Sequence, residues 1–574
     1  MKQVLWLALV GLVAASPLAA QEPNKDADKT KPQPAKGPNR LWTDSTGKYK
    51  LEAALADFNQ SEVRLKMSDG KTVTIALGKL SAPDQRYVQR WADLKHKHPW
   101  LDPNAPFDVV AFLEPIPDEE NAALVYPDAL CEFSPGDFPY LFPPDEQKRR
   151  LEIARKRSDE YTRLDEAWRK DPKSVNAAEL DAWLAEHEAG FKKLALAQQR
   201  PRCMFPCALS IDSLLNPIQA SRWAARAVMY RTRRDLQRGD FERPIQGVES
   251  VLRLSRDIRY RGDEMSQLVS VAIDSMCCDL TIRETLAAAG LRPEHCDRLL
   301  AALTRHEAEA SDPFLEGQQV NYLKARKILY DLEHRTGTFD KQYMKEKLGY
   351  RGSVDSPLSC IDLMASVGFV ASVGGFGGPL AAKKWGTGGS ARPAEGTPAA
   401  KKLEQAIQAM TADDYAREAQ AINRVYGAVL ALEDRTMLER SRACTAPGLA
   451  EPLRDTNVAV FLEPAFLAVE IQACLRSQTL LRGTQCLVAL RRWQFEHREL
   501  PANLGALAKA AGMDGTPMDP YCDRPLRMTV IQETPVIYSV GPDGKDDGGL
   551  VVWDLGPGHP GDYVFRLTPP RTIR

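Results

Sequence analysis

The side chains that could carry out chemistry are few and do not form a recognisable catalytic set. The chain has only eight histidines, and it lacks the phosphate-binding loop, the nucleophile elbow and the helical zinc-protease motif. His187 falls on the apolar face of a helical pattern, where a hydrogen-bonded core imidazole is the expected role. Cys203 and Cys207 enclose a short loop without the further ligands of a zinc site, so a local disulfide and two separate thiols are both open. The sequence therefore indicates no particular reaction and favours a protein that is not an enzyme.

The composition is that of a large globular protein. Of 574 residues, 44% are hydrophobic and 27% are charged, and this length predicts several cores rather than one. Lysine and arginine number 76 against 77 aspartate and glutamate, so the net charge of −1 gives no electrostatic basis for binding nucleic acid or an anionic membrane. The eleven cysteines are too sparse for a disulfide scaffold, and their odd number leaves at least one thiol without a partner in the chain.

The first twenty residues have the pattern of a secretory signal peptide. Lys2 precedes an apolar run from Val4 to Ala15, and small residues follow up to Ala20. The run is shorter than the roughly 20 residues that a bilayer span needs, so cleavage near Ala20 is expected and an uncleaved anchor is the alternative. Residues 21–40 are rich in proline and lysine and predict a disordered linker. We therefore expect an exported protein of the periplasm or cell envelope, with no stable membrane span after cleavage.

Residues 41–98 have the pattern of a small β-barrel that is closed by a helix. Apolar and polar side chains alternate in three short runs, which predicts three strands at residues 49–55, 63–67 and 73–77. Asp69-Gly70 fits a tight hairpin turn between the second and third strands. Ser81 and Asp84 have the spacing of a capping box, which predicts that a helix begins there.

Four motifs occur in order in this region: Trp42-Thr-Asp-Ser-Thr-Gly-Lys-Tyr49, Val63-Arg-Leu-Lys66, Asp69-Gly-Lys71 and Leu77-Gly-Lys-Leu-Ser81. Together they resemble the Sla-one homology domain of yeast endocytic adaptors. The resemblance implies an SH3-like fold and a domain that binds short Asn-Pro-Phe-x-Asp peptides.

The same region supplies the candidate peptide-binding residues. We expect five side chains to be exposed and to line a peptide groove: Trp42, Asp44, Lys48, Arg64 and Lys66. The alternative is that these side chains form an ordinary solvated face. The partner implied by the resemblance is a protein or peptide.

The middle of the chain predicts a linker and a large helical domain. Residues 99–144 are rich in proline and aromatic side chains and predict an ordered linker. Residues 145–475 have persistent helical periodicity without a repeated motif, which predicts an irregular all-α domain. The Gly/Pro-rich stretch 363–398 interrupts this pattern. We expect a mobile surface loop there, with a membrane segment as the alternative, because glycine and proline disfavour a continuous helix.

Residues 476–574 contain a further ordered series of motifs. A helical pattern is followed by Leu500-Pro501, Met518-Asp519-Pro520-Tyr521 and Tyr538-Ser-Val-Gly-Pro-Asp-Gly544. This order resembles the globular half of the major pseudopilin of type II secretion systems. The resemblance implies an α+β module, although the N-terminal apolar helix that builds pseudopilin filaments is replaced here by other domains.

The pseudopilin resemblance also implies a calcium site in the closing loop. The matching carboxylates are Asp543, Asp546, Asp547 and Asp562. Calcium takes six to eight oxygen ligands, which carboxylates and curled backbone carbonyls can supply. The alternative is an aspartate- and glycine-rich turn that needs no ion.

These observations predict a multi-domain α+β protein with a small SH3-like barrel, a large irregular all-α domain and a pseudopilin-like module. The favoured function is an exported bacterial binding or scaffold protein that acts through its barrel. The alternatives are a hydrolase of envelope polymers, with its site in the helical domain, and a component of a secretion system recruited through the C-terminal module.

Overall fold

The structure, a computed structural model, describes residues 39–134, 143–170, 175–206, 216–336, 409–445, 465–550 and 561–567. The predicted signal peptide (1–20), almost all of the predicted linker (21–40) and the predicted loop (363–398) lie outside these residues. The described chain contains an N-terminal antiparallel sheet, a large helical region and a smaller sheet near the C-terminus. This arrangement agrees with a multi-domain α+β protein.

The N-terminal sheet has four antiparallel strands in sequence order. They are β1 (Arg40–Thr43), β2 (Lys50–Phe58), β3 (Glu62–Lys66) and β4 (Thr72–Ala76). Beyond β4 the chain returns to the end of β1, where the Ser45 N–H donates to the Lys79 carbonyl oxygen at 2.8 Å. The Ser81 N–H likewise donates to the Thr43 carbonyl oxygen at 2.8 Å. These two hydrogen bonds bring the chain after β4 back to the end of β1, and we call this arrangement of the four strands the barrel. Its SH3-like fold stays a prediction.

Helix α1 (Ala82–Lys97) packs against the apolar face of this sheet. Its N-cap is Ser81, whose side chain accepts a hydrogen bond from the Asp84 N–H, as the capping pattern predicts. The Asp84 carboxylate is buried and accepts from the Thr43 N–H at 2.8 Å and from Arg40 Nε at 3.0 Å. The start of α1 is therefore fixed to β1. We call residues 40–97 the N-terminal domain.

The segment after α1 packs against two different cores. It contains the short helix α2 (Val109–Phe112) and the helix α3 (Tyr126–Phe133). Trp100 and Phe107 join the core of the N-terminal domain, whereas α3 joins the core of the helical region. The segment thus connects the two parts of the molecule through buried side chains on both sides.

The helical region consists of helices whose bounds are α4 (Pro144–Lys170), α5 (Ala177–Glu186), α6 (Glu188–Ala197), α7 (Asn216–Gln237), α8 (Glu242–Arg259), α9 (Glu264–Ser275), α10 (Arg283–Ala287), α11 (Pro293–Glu309), α12 (Pro313–His334), α13 (Ala412–Leu430), α14 (Met437–Thr445) and α15 (Ala465–Glu496). A π-helical turn, Met276–Ile282, joins α9 to α10. Among the described residues, the stretch Glu264–Ala287 is long and apolar enough to cross a membrane, but 61% of it is buried inside the protein. It therefore serves as a core helix in this fold.

The core of the N-terminal domain continues into the helical region. Side chains of α12 and α13 belong to the same apolar cluster as Trp42 and Trp91. The Phe107 ring meets the Tyr322 ring edge-on, with their centroids 5.6 Å apart. At the edge of this contact, Asp102 accepts a hydrogen bond from Asn423 Nδ2 at 3.0 Å. The barrel therefore shares an apolar core with the helical region and is not connected to it by a linker alone.

The C-terminal part contains helix α16 (Leu504–Ala510) and the strands β5 (Met518–Asp519), β6 (Arg524–Pro525), β7 (Arg527–Ile531), β8 (Thr534–Ser539) and β9 (Tyr563–Arg566). Strands β7, β8 and β9 form an antiparallel sheet that packs on α15. The structure differs from the predicted boundary at residue 476, because that position lies inside the continuous helix α15. Helix α15 contributes to the helical core and supports the terminal sheet, so the two share one apolar cluster.

Candidate functional site

Trp42 is not exposed, and the expectation that it is exposed is wrong. Its side chain is 2% accessible, and the indole N–H donates to the Ala53 carbonyl oxygen at 2.9 Å. Strand alternation places Trp42 on the inner face of β1, where it meets the Tyr87 ring edge-on at 5.8 Å. Trp42 therefore belongs to the barrel core and cannot contact a ligand directly in this conformation.

Asp44 and Lys48 lie together in the loop between β1 and β2. Asp44 Oδ2 accepts from the Thr46 hydroxyl at 2.6 Å, and Asp44 Oδ1 accepts from the Tyr49 N–H at 3.0 Å. These hydrogen bonds lower the pKa of Asp44, the one from the Thr46 hydroxyl having the largest effect. Lys48 is exposed beside this turn. The Asp44 carboxylate stabilises the loop through these hydrogen bonds, which accounts for an aspartate at this position without requiring a ligand.

Arg64 and Lys66 are exposed on the outer face of β3. The strand register places Asp57 and Thr74 opposite Arg64, so this face carries mixed charges and polar side chains. Trp42 points to the opposite side of the same sheet. The five predicted residues are therefore divided among the core, a loop and an outer face, and they do not line one groove. Whether any of them binds a peptide stays a prediction.

The structure instead contains a cleft of about 250 Å³ between α1 and residues 108–114, which include α2. We call it the arginine cleft. Its lining residues are Arg40, Pro83, Arg86, Tyr87, Arg90, Asp108, Val110, Ala111 and Glu114. One wall thus comes from β1 and α1, and the other wall comes from residues 108–114.

Hydrogen bonds and ion pairs connect the two walls of the arginine cleft. Tyr87 donates its hydroxyl hydrogen to Asp108 Oδ1 at 3.1 Å. Burial, followed by the negative charge of Asp108, raises the pKa of Tyr87, which therefore stays a hydrogen-bond donor. At the other end, Arg90 Nη1 lies 2.9 Å from Glu114 Oε1. These contacts keep the walls together while leaving space between them.

The three arginines of the cleft have different partners. Arg40 is paired with the buried Asp84, and its guanidinium lies 4.3 Å from the centroid of the Tyr87 ring. Arg90 is paired with Glu114. Arg86 is exposed and has no carboxylate partner within the residues that the structure describes. Because Pro83, Val110 and Ala111 add an apolar surface, the cleft could hold a group that combines an apolar side chain with a carboxylate.

Sequence reasoning missed this cleft because half of it lies outside the barrel. Arg86 and Arg90 are four residues apart on α1, a spacing that places both on one face of a helix. That spacing was the available signal in the sequence. No local pattern indicated that residues 108–114 would pack against this face.

Three of the four predicted calcium carboxylates, those of Asp543, Asp546 and Asp562, accept hydrogen bonds from the protein. Asp562 accepts from the Gly549 N–H at 2.6 Å and from the Asp547 N–H at 3.4 Å. Asp546 lies 2.9 Å from Arg527 Nε and accepts from the Gly548 N–H. Asp543 accepts from the Lys545 N–H at 3.1 Å. Within the described residues, no group of three or more His, Cys, Asp or Glu side chains is arranged to hold a metal ion. Calcium therefore stays a prediction.

Buried titratable groups in the helical region have structural partners. His306 Nε2 lies 3.2 Å from Asp274 Oδ1, and Asp274 also pairs with Arg259. His187 is fully buried, its Nδ1 lies 2.8 Å from the Trp183 carbonyl oxygen, and burial lowers its pKa to about 4. The described cysteines are free thiols, including Cys203. These groups are enclosed by protein, and the alternative of a hydrolase in this region stays a prediction.

Comparison with known proteins identifies the N-terminal part of the chain. Residues 28–96 match SLA1 homology domain 1. A stretch of 71 residues is 34% identical to the actin cytoskeleton-regulatory complex protein SLA1 of Mycosarcoma maydis, covering 12% of this chain and 6% of that protein. A stretch of 65 residues is 35% identical to the protein of the same name from Yarrowia lipolytica (strain CLIB 122 / E 150), covering 11% of this chain and 6% of that protein.

The matches to these two relatives cover 71 and 65 residues of this chain. The chain spans about 6% of the length of the curated relatives that it matches. No solved structure matches the chain. The barrel and the α1 wall of the arginine cleft lie within residues 28–96, the region that matches SLA1 homology domain 1.

Proposed function

We propose that this protein is a binding or scaffold protein that captures a protein partner through its SLA1 homology domain. The arginine cleft is the observation that carries this proposal. It is a concave site between the matched domain and residues 108–114, and it combines an exposed arginine with an aromatic ring and apolar side chains. Recognition sites in proteins commonly combine such an apolar surface with a few placed polar groups.

The ligand that we propose is a short peptide segment with an acidic side chain. The lining contains three arginines, of which Arg40 is paired with Asp84 and Arg90 is paired with Glu114. Arg86 is the arginine of the lining that has no carboxylate partner among the described residues, so it is the group available to an acidic ligand. A carboxylate held by Arg86 would gain a charge-assisted hydrogen bond, and a proline or aromatic side chain would cover Pro83 and Val110. The peptide class implied by the Sla-one resemblance has this composition.

The proposal is tested with a fluorescein-labelled Asn-Pro-Phe-Ala-Asp peptide and the full-length protein. Arg86→Glu should weaken binding at least about tenfold, since it replaces an attractive charge by a repulsive one. Arg64→Glu is the matched control, because Arg64 is equally an exposed arginine of the same domain but lies on the outer face of β3. Fluorescence anisotropy titrations give both affinities.

The same pair of variants separates the cleft from the strand face. Loss of binding in Arg64→Glu with unchanged binding in Arg86→Glu would place the ligand on the outer face of β3. Failure of the wild-type protein to bind the peptide at micromolar concentrations would remove this ligand class. A peptide with asparagine in place of its aspartate should bind more weakly if the carboxylate is recognised.

We propose the cell envelope as the location, and the pattern of residues 1–20 supports it. The short apolar run behind Lys2 is the feature that export machinery recognises. Fusing residues 1–20 to a reporter that is active only after export tests this proposal. Equal reporter activity with and without a charged substitution in the apolar run would contradict it.

As a second candidate, we propose that the C-terminal module binds a component of a secretion machine. This proposal is supported by the order of three motifs, Leu500-Pro501, Met518-Asp519-Pro520 and Tyr538-Ser-Val-Gly. Exchange of exposed side chains on this module, with the peptide affinity of the cleft as an internal control, would separate the two attachments. Loss of co-purifying secretion components with unchanged peptide binding is the expected result.

A further inference from the structure

The second wall of the arginine cleft is held by a residue of the helical region. Arg261, at the turn between α8 and α9, donates through Nη1 to the Glu114 carbonyl oxygen at 2.9 Å. It donates through Nη2 to the Ala111 carbonyl oxygen at 3.2 Å. Both acceptors are residues that line the cleft. The Ala111 carbonyl lies in the last turn of α2, where it also accepts from the Glu114 N–H at 3.4 Å, and Glu114 lies two residues beyond the end of this helix.

Arg261 also contacts the wall through the face of its guanidinium group. This group lies 5.2 Å from the centroid of the Phe112 ring, which is buried between Ala111 and the core. A cation over an aromatic face adds attraction to the two hydrogen bonds. One side chain therefore contacts three of the four residues from Ala111 to Glu114.

The backbone of Arg261 is itself fixed by the helical region. Its φ angle is +51°, a left-handed conformation that is unfavourable for a residue with a side chain. The Arg261 N–H donates to Glu316 Oε2 on α12 at 2.8 Å. The same carboxylate oxygen accepts from the Ser311 hydroxyl at 2.7 Å, which holds it in place. The position of Arg261 is thus determined by α8, α9 and α12 together.

We propose that Arg261 is a positioning residue for the ligand site, through which the helical region sets the affinity of the SLA1 homology domain for its partner. This inference rests on the proposed function and names what regulates the same site. The domain alone supplies only the α1 wall. Arg261 ties the wall from residues 108–114 to the helical region, in addition to the contacts that this wall makes with α1.

The test compares two arginines that make the same kind of contact with the connecting segment. Arg200 donates to the Asp118 and Asn121 carbonyl oxygens at 2.7 and 2.8 Å, and neither acceptor lines the cleft. Arg261→Met keeps the apolar stem but removes the donors, and we expect peptide affinity to fall about tenfold. Arg200→Met makes the same chemical change and should leave the peptide affinity unchanged. Arg261→Lys should recover part of the loss, since an ammonium can still donate to the carbonyls.

Hydrogen exchange gives a readout that does not depend on a ligand. In Arg261→Met, the Leu113 and Glu114 amides should exchange faster than in the wild-type protein, while the α1 amides stay protected. Wild-type peptide affinity in Arg261→Met would overturn the inference and leave the proposed function intact. Absence of binding in the wild-type protein would instead overturn the proposed function, and the exchange rates would still report whether Arg261 holds the wall. Should Arg261→Met fail to fold, Arg261→Gln, whose shorter side chain cannot replace both guanidinium contacts, carries both measurements, and wild-type values in it count against the inference.

Discussion

The Tyr87 hydroxyl donates to Asp108 Oδ1 at 3.1 Å, and this hydrogen bond joins the SLA1 homology domain to the segment that follows it. Tyr87 lies on α1 and Asp108 is the N-cap of α2, where its carboxylate also accepts from the Ala111 N–H at 3.0 Å. One carboxylate therefore both starts α2 and attaches it to the barrel. The ligand site depends on this junction because the cleft lies between the two helices.

Tyr87→Phe should lower the free energy of unfolding by about 1–2 kcal/mol, because the hydroxyl donates to Asp108 and also accepts from the Trp91 indole N–H at 3.4 Å, and each hydrogen bond contributes about 1 kcal/mol net. The ring is kept, so its contacts with Arg40 and Trp42 remain. Tyr49→Phe is the control, because Tyr49 is 75% exposed. Urea denaturation measures both values, and an equal effect of the two substitutions would contradict the assigned role of the Tyr87 hydroxyl.

Trp42→Ala should destabilise the N-terminal domain by about 3–5 kcal/mol, the usual result of removing a large aromatic side chain from a core. The indole is almost fully buried and its N–H is bonded to the Ala53 carbonyl oxygen. Loss of peptide binding in this variant would therefore report unfolding of the domain. Thermal denaturation followed by near-ultraviolet circular dichroism checks this expectation, and an unchanged midpoint would show that Trp42 is not a core residue.

Glu470→Gln should make stability less dependent on pH. Glu470 is 1% exposed, its Oε1 has no hydrogen-bond partner, and Gln318 Nε2 donates to its Oε2. Burial raises the pKa of Glu470 well above its usual range, and the negative charges of Glu264, Asp263 and Asp312 raise it further. Lys324 does not compensate for this charge, because it pairs with Glu264 at 3.2 Å.

The sign of the pH effect follows from this raised pKa. The folded protein holds the Glu470 proton more tightly than the unfolded chain does, so the associated stability is fully present below the ordinary glutamate pKa. It is lost as the pH rises toward the folded-state pKa, by at most about 1.4 kcal/mol per pH unit for one proton. Denaturation curves from pH 4 upward should therefore show a smaller decline in Glu470→Gln. Glu119→Gln changes an exposed glutamate and should follow the wild-type curve.

Gly483→Ala should detach the terminal sheet from α15. A Cβ atom at this position would lie 2.2 Å from the nearest ring atom of Phe565, a buried residue of β9. Alanine in place of a helical glycine normally adds about 1 kcal/mol of stability, but here the collision with a packed ring is the larger effect. Gly78→Ala is the control, since nothing lies within 4 Å of its added Cβ. An increase in the unfolding free energy of Gly483→Ala would contradict this packing.

Calcium binding to the Asp543–Asp562 loop remains open to a direct measurement. If the resemblance to pseudopilins holds for this loop, millimolar calcium should raise the thermal midpoint and magnesium should not. Asp562→Asn should abolish the rise. The arrangement of hydrogen bonds around Asp546 and Asp562 requires these carboxylates to exchange backbone and arginine donors for the ion. An unchanged midpoint in calcium would leave the loop as a structural turn.

The sequence predicted those elements whose pattern is local. The three strands, the turn at Gly70 and the cap at Ser81 follow from alternation and from short-range hydrogen bonding, and the structure contains them. The exposure of Trp42 could not be read in the same way, because alternation gives two faces of a strand without saying which one is covered. Helix α1 decides that question, and its docking is a tertiary contact.

The arginine cleft was beyond sequence reasoning for a related reason. The α1 residues of one wall lie about 20 to 30 residues from the other wall, Arg40 lies about 70 residues from it, and Arg261 is 150 residues from Ala111. No periodicity connects positions that far apart. Similarly, the continuity of α15 across residue 476 was hidden, because the motifs of the terminal sheet suggested a separate unit.

The apolar contact of Phe107 with Tyr322 and the rest of the shared core have a consequence for how a captured partner would be presented. Many adaptor modules are attached by long flexible linkers and meet their targets by diffusing within the volume that the linker allows. Here the barrel shares an apolar core with α12 and α13, so a bound partner would be held in one position and orientation relative to the helical region. We expect that lengthening the chain between residues 97 and 109 would make the orientation of a bound partner variable before it weakened the affinity for that partner.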